Sequence, residues 1–403
     1  MPLLLLFSIS LLLAVLLSER AERTVLSTSV LFLLTGAFAG SYSLGLVHVE
    51  AHDPIVSTLA ELALFSVLFT DGMKLGFRDL IQGWRLPGRA LFIGLPLTMA
   101  GTALLAHWLV QLPWTESLLI GAILSPTDPV LVAAIVGDQG IPARLRDLLN
   151  IESGLNDGLA LPVVLFLLAR VSDAHTPLFH LALEVAIGLG CGITIPWLAV
   201  HLEKSRLFAA SKVFTPLFPV AIACLVYAMS KTLHGNEYLA AFVAGVTVTS
   251  LDPQLLGEFH VLGESVTELL KLAALLVFGL LLSPPFLRSI PLTGYVFAIL
   301  AMIAVRPIAL SLSFLIRSLS WPEFLTASWF GPKGFASVTY ALIVLQTDAQ
   351  YASLIFKLCA VVIGISIIAH SSTDVPVSKW LRKQTNQSLG SGVSGRPTVL
   401  KTK

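Results

Sequence analysis

What most limits the fold of this chain is a succession of apolar stretches, each about as long as a bilayer is thick, separated by charges, prolines and glycines. A helix needs about 20 predominantly apolar residues to cross the hydrocarbon core. Thirteen segments meet or approach that length, at 2–18, 25–48, 55–72, 90–112, 115–136, 149–171, 178–200, 213–230, 236–250, 262–283, 292–316, 322–346 and 351–371. The chain therefore reads as an all-α polytopic membrane protein with about 13 transmembrane helices. Composition agrees, since 56% hydrophobic against 12% charged residues does not describe a water-exposed surface. A soluble enzyme, a nucleic-acid binder and a disordered scaffold are excluded together. The first segment lacks a basic leader, and Ser18-Glu19-Arg20 is unlike a small-residue cleavage site, so it is expected to be a retained helix. Cys191, Cys224 and Cys359 all fall in apolar runs and read as packing residues.

The placement of basic residues tests the segmentation, because cytoplasmic loops carry the excess of lysine and arginine. Of 25 such residues, 18 fall in loops after odd-numbered spans or in the C-terminal tail, and only Arg170, Lys231 and Arg288 fall in or beside even-numbered loops. That split requires an odd number of spans, with the N-terminus outside and the C-terminus cytoplasmic. Residues 74–89 mix basic side chains with Phe77, Leu80, Ile81 and Trp84, and read as an amphipathic cytoplasmic connector or as a plain basic loop. The tail from 372 to 403 turns to Ser, Gly, Thr and Lys and is expected to be disordered in the cytosol.

Charges at membrane depth are costly enough that each is a functional candidate. Ser125-Pro126-Thr127-Asp128-Pro129 interrupts the fifth span, where two prolines three residues apart should break the helix. A broken helix exposes a carbonyl end and an amide end at one depth, and Asp128 can cap an amide end. In Glu152-Ser153-Gly154-Leu155-Asn156-Asp157-Gly158, Ser153 and Asp157 are four apart and share a helix face, so both can point oxygens at one hard cation. Glu152 faces elsewhere and needs its own partner. Helix capping explains Glu152 or Ser153, but not Asp157 a turn further in. Asp71, near the inner end of the third span, reads equally as a helix-end carboxylate or a ligand. Arg306 is a permanent cation within the eleventh span and demands a buried carboxylate. Gly331-Pro332-Lys333-Gly334 is a second helix breaker, in the twelfth span, with a charge inside it.

The two breakers lie seven spans apart. They therefore correspond if spans 1–6 and 8–13 are two six-helix repeats, and because seven is odd the repeats are inverted, with span 7 as linker.

Ser-Pro-Thr-Asp-Pro at 125–129, Glu-Ser-Gly-Leu-Asn-Asp-Gly at 152–158, Gly-Asn-Glu-Tyr-Leu-Ala-Ala-Phe-Val-Ala-Gly at 235–245, Arg306-Pro307 and Gly-Pro-Lys-Gly at 331–334 resemble the monovalent cation:proton antiporter-1 family, the sodium/proton exchangers. The resemblance runs to about Ser371. It implies a homodimer with a dimer-interface domain from 1–73 and 213–283, and an ion-translocating core from 90–171 and 284–371. Residues 172–212 then form the linker helix and its loop. It further implies Asp157 as the cation and proton carrier, with sodium held by Asp157, Ser153, Thr127 through its carbonyl, and Asp71. Asn156 stands where electrogenic relatives have a second aspartate. Glu152 and Arg306 correspond to a structural ion pair, and Asp128 and Lys333 to charge compensation at the broken helices. Two departures stand out, since Asp71 replaces a common glutamate and Lys333 a common arginine.

The function implied is secondary active exchange of sodium, or lithium, for protons in the plasma membrane, with a part in pH homeostasis. Proton and cation compete for one carboxylate. With Asn156 beside a single titratable carrier, the exchange is expected to be one for one and electroneutral. No cofactor and no nucleic acid enter the scheme; the partners are monovalent cations, protons, the lipid bilayer and a second copy of the chain. Potassium/proton exchange on the same fold is the alternative. A cation channel would move cations without protons. An intramembrane aspartyl hydrolase using Asp71 and Asp157 would leave both breakers and Arg306 unexplained, and the chain has no Gly-x-Gly-Asp.

Overall fold

Prolines and short polar side chains set where the helices begin. Pro54 opens one helix at its first turn, where a missing N–H costs nothing. Ser27 and Asn236 cap two others, accepting from the amides of Val30 (3.3 Å) and Leu239 (2.8 Å). Ser320 and Glu323 form a reciprocal capping box at another.

The computed structural model describes residues 2–21, 27–40, 43–75, 87–128, 133–172, 178–205, 208, 210–314 and 319–392. Within them the chain is helical, without a strand. We number the helices by crossing segment. They are α1 (Pro2–Ala21), α2 (Thr28–Ala39), α3 (Pro54–Met73), α4 (Pro87–Arg89, a π-helical turn Ala90–Gly94, then Leu95–Val110), α5 (Trp114–Ile123, interrupted, then Ala133–Gly137), α6 (Ala143–Ser172), α7 (Leu178–Glu203), α8 (a 3-10 turn Thr215–Leu217, then Phe218–Thr232), α9 (Glu237–Leu251), α10 (Gln254–Leu281), α11 (Leu292–Leu300, a π-helical turn Ala301–Val305, then Arg306–Ser313), α12 (Trp321–Trp329, interrupted, then Phe335–Leu345) and α13 (Ala352–Gly392). By length and composition seven of these can cross a bilayer, and five more are shorter apolar helices. Large apolar side chains such as Trp108 (69% exposed), Phe179 (72%) and Leu292 (78%) stand on the outer surface. In water that surface would be a liability; in lipid it is the solvated face.

Both interruptions fall where the paired prolines and glycines predict, in α5 and α12. The π-helical turns add a correspondence that hydropathy does not show, because α4 and α11 are also seven segments apart and each carries one turn. Helices α1–α3 pack with α8–α10, and α7 rests on α8 and α9. Helices α4–α6 pack with α11–α13, and α3 touches both α6 and α12. The functional candidates lie along that seam.

The expectation of a disordered tail is corrected for residues 372–392. Helix α13 does not stop at Ser371 but continues to Gly392. Leu381, only 1% exposed, packs in one apolar cluster with Ile135, Ile141, Leu145, Leu148 and Leu149. Ser378 Oγ donates to Asp138 Oδ2 (3.2 Å), and Trp329 Nε1 donates to Thr373 Oγ1 (2.9 Å). The reason is periodicity that the polar average hides: Val377 and Leu381, four apart, share a helix face and pack on one apolar cluster. Residues 393–403 lie outside the described residues, as do 76–86, which make up most of the expected connector.

Candidate functional site

The two helix breaks meet and satisfy each other's loose ends. Four amides at a helix start and four carbonyls at its end have no partner within the helix. At the amide end of the second half of α12, the Phe335 N–H donates to Asp128 Oδ2 (3.0 Å). At the carbonyl end of the first half of α5, the Ile123 oxygen accepts from Ser337 Oγ (2.7 Å). The Asp128 amide donates to the Pro332 carbonyl (3.0 Å), which joins the two irregular segments directly. A Cβ at Gly334 would lie 2.0 Å from Asp128 Cβ, so only glycine admits this approach. Asp128 thus caps a helix of the opposite repeat, and its charge faces the positive end of that helix.

The carbonyl end of the first half of α12 is held from the side. Arg306 Nε donates to the Ala327 carbonyl (3.0 Å), and His370 Nε2 faces the Trp329 carbonyl (2.9 Å). The Lys333 amide donates to Ser366 Oγ (2.7 Å), which lies 3.1 Å from His370 Nδ1. The guanidinium of Arg306 makes two parallel bonds to Glu152, Nη1 to Oε1 at 2.7 Å and Nη2 to Oε2 at 3.0 Å. Both residues are 6% exposed. Bidentate geometry in a dry setting is what makes such a pair tolerable at depth. The Lys333 ammonium is buried, and its nitrogen has no hydrogen-bond partner among the described residues.

Beside the break, Thr127, Ser153, Asn156 and Asp157 are all nearly fully buried. Asn156 Nδ2 donates to Thr127 Oγ1 (2.7 Å) and approaches the Thr127 carbonyl (3.4 Å). The hydroxyls of Thr127 and Ser153 lie 3.2 Å apart. Asn156 therefore ties α6 to the break in α5. Asn156 Oδ1 and Asp157 Oδ1 are buried acceptors without a hydrogen-bond donor among the described residues. Two adjacent acceptors without donors are expensive, and a proton or a cation removes the cost. Among the described residues no three His, Cys, Asp or Glu side chains converge as a metal centre would require.

Asp71, on α3, is half-buried and reaches Asp157 through its charge, as does Asp128. Sequence reasoning missed four contributors. The Tyr340 hydroxyl donates to the Asp157 carbonyl (3.4 Å), and Ser337, Ser366 and His370 serve the breaks. Their only signal was polarity within apolar runs, which helices also use for bonds to their own backbone. Lys271, on α10, is a mostly buried side chain whose charge reaches Asp71 and Asp128. Glu61, on α3, accepts from Lys231 Nζ (2.6 Å) and from the Tyr227 hydroxyl (3.3 Å).

A family profile described as "Sodium/hydrogen exchanger, transmembrane" matches residues 7–380. The K(+)/H(+) antiporter NhaP of Alkalimonas amylolytica is 29% identical over 390 residues, covering 94% of this chain and 66% of the relative. The K(+)/H(+) antiporter NhaP2 of Shewanella baltica is 27% identical over 376 residues, covering 89% of this chain and 63% of the relative. The chain thus spans about two thirds of the length of these curated relatives. The solved structure of the sodium proton antiporter MjNhaP1 from Methanocaldococcus jannaschii shares the fold, with a TM-score of 0.76 at 18% identity, covering 95% of this chain and 100% of that one. A profile match that takes in both helix breaks and the Asn156–Asp157 pair leaves one conclusion: this chain belongs to the sodium/hydrogen exchanger transmembrane family.

Proposed function

We propose that the chain is a secondary active antiporter that exchanges a monovalent cation for a proton at Asp157. The observation that carries this reading is the pair of buried oxygens, Asn156 Oδ1 and Asp157 Oδ1, without donors among the described residues and beside a double helix break. A carboxylate in that position takes either a proton or a cation, and the two exclude each other. Ser153 and Thr127 supply hard oxygens next to it, and Asp71 adds charge from the facing helix α3. A protein that changes access only when this site is filled then exchanges one ion for the other. With Asn156 as the neutral neighbour, the exchange is one proton for one cation and electroneutral.

Sodium, with lithium, is the proposed cation. Potassium is the second reading, and it is favoured by a specific observation, since the bacterial relatives above carry potassium/proton names. The further proposals are a homodimer formed through α1–α3 and α8–α10, location in the plasma membrane with the N-terminus outside and the C-terminus cytoplasmic, and a part in pH homeostasis. Glu152 and Arg306 hold α6, α11 and α12 together, while Asp128 and Lys333 balance the broken helix ends.

The test is exchange in proteoliposomes loaded with a pH dye, adding sodium, lithium, potassium and calcium in turn. Cation-driven proton movement is expected for at least one monovalent cation, and Asp157→Asn should abolish it while the protein stays folded. Persisting flux in that variant removes Asp157 from the mechanism.

A further inference from the structure

Lys271 lies near the middle of α10 with its side chain 11% exposed, followed by the apolar run from Leu272 to Leu282. A buried ammonium persists only where opposite charge repays its lost hydration. Its partner on its own helix is Glu268, at 3.2 Å, and that carboxylate is 42% exposed. One turn earlier on the same face, Thr267 bonds Ser66 (2.6 Å) and Thr70 (2.8 Å) of α3. This face of α10 is therefore turned toward α3, next to Asp71. The charge of Lys271 acts on Asp71, Asp128 and Glu268, and also on Asp157.

The charges in reach can be paired off. Lys74 and Glu264 act on Asp71 but face each other at 3.3 Å and cancel. Asp128 is spent on the amide end of α12. Asp71 and Asp157 remain opposite Lys271, while Glu268, its 3.2 Å partner, is 42% exposed and solvated. With Asp71 and Asp157 ionised and Lys271 charged, these three groups carry one net negative charge, which one proton or one monovalent cation neutralises. Without the lysine it would carry two.

We infer that Lys271 is a fixed counter-charge of the cation site, a specificity-determining residue that fits the Asp71 and Asp157 carboxylates to one monovalent cation or proton rather than to a divalent cation. This rests on the antiport reading above. A tethered ammonium cannot be transported, so it weakens cation binding and allows release without leaving the site.

The experiment compares the full-length chain with Lys271→Met, Lys271→Arg and Glu268→Gln. Thermal stability in detergent is titrated with sodium, potassium and calcium chlorides against choline chloride at matched ionic strength, beside exchange in dye-loaded proteoliposomes. Lys271→Met is expected to lower the half-saturating sodium concentration on the order of tenfold, and to make calcium both stabilise the protein and inhibit exchange. Lys271→Arg should behave as the parent. Glu268→Gln, which frees the ammonium for Asp71 and Asp157, should raise the half-saturating concentration. Unchanged half-saturation and calcium response in Lys271→Met overturns the inference, as does Lys271→Arg behaving like Lys271→Met. Should Lys271→Met not fold, Glu268→Gln decides, and an unshifted value there overturns it. A parent chain that moves no protons for any cation sinks the antiport reading instead, while the thermal titration still reads binding.

Discussion

Arg306 shows how much a single side chain can hold at membrane depth. Its guanidinium bonds both oxygens of Glu152 and the Ala327 carbonyl, joining α6 and α11 to the first half of α12. Removing it leaves a buried carboxylate unpaired, a loss of about 3–5 kcal/mol for such pairs. Arg306→Ala is therefore expected to lower the thermal unfolding temperature in detergent strongly while changing cation affinity little. The reverse ranking would put Arg306 in the ion site. Gly334 carries a different constraint. Its backbone has φ −114°, which alanine adopts freely, so the objection to a side chain is space. Gly334→Ala must push Asp128 away from the Phe335 amide, so it should cost about 1–3 kcal/mol as overpacking does and also reduce exchange. Wild-type stability and transport in that variant would show that the cap is dispensable.

Among the elements, α13 departs furthest from what its composition suggests. Its extension past Ser371 covers the second half of α5 and the start of α6 through Leu381 and Ser378, and meets the first half of α12 through Thr373. Leu381→Ala should destabilise the protein by about 2–5 kcal/mol, as truncation of a buried leucine does. Ending the chain at Ser371 should expose 133–149 to protease, whereas ending it at Gly392 should not. Equal protease patterns for the two truncations would mean that the extension only rests on the surface. The broken helices were legible for a local reason, because proline and glycine act within a turn of their own position. The extension was not, since Val377 and Leu381 gain meaning only from the distant surface that they cover.

At the scale of the molecule, topology and stoichiometry are the testable properties. The parity of basic loops expects an impermeant maleimide added outside whole cells to label His52→Cys but not Lys212→Cys, in a background without Cys191, Cys224 and Cys359. Labelling in the opposite sense would invert the orientation. A clamped membrane potential should leave the exchange rate unchanged, and a clear voltage dependence would mean that more than one proton moves per cation.

The sequence by itself determined the membrane class, the two inverted repeats and the residues at which helices must break. Each of these follows from apolar length, charge placement or backbone chemistry, which neighbouring residues decide. The tertiary structure alone decided which groups meet. Asp128 caps Phe335, 207 positions away. Arg306 reaches Glu152 across 154 positions, and Lys271 turns inward rather than out to the lipid surface. A buried charge states that it needs a partner, but several partners of the right sign exist in one chain. Only packing, which brings distant segments to one depth and excludes water between them, selects among them.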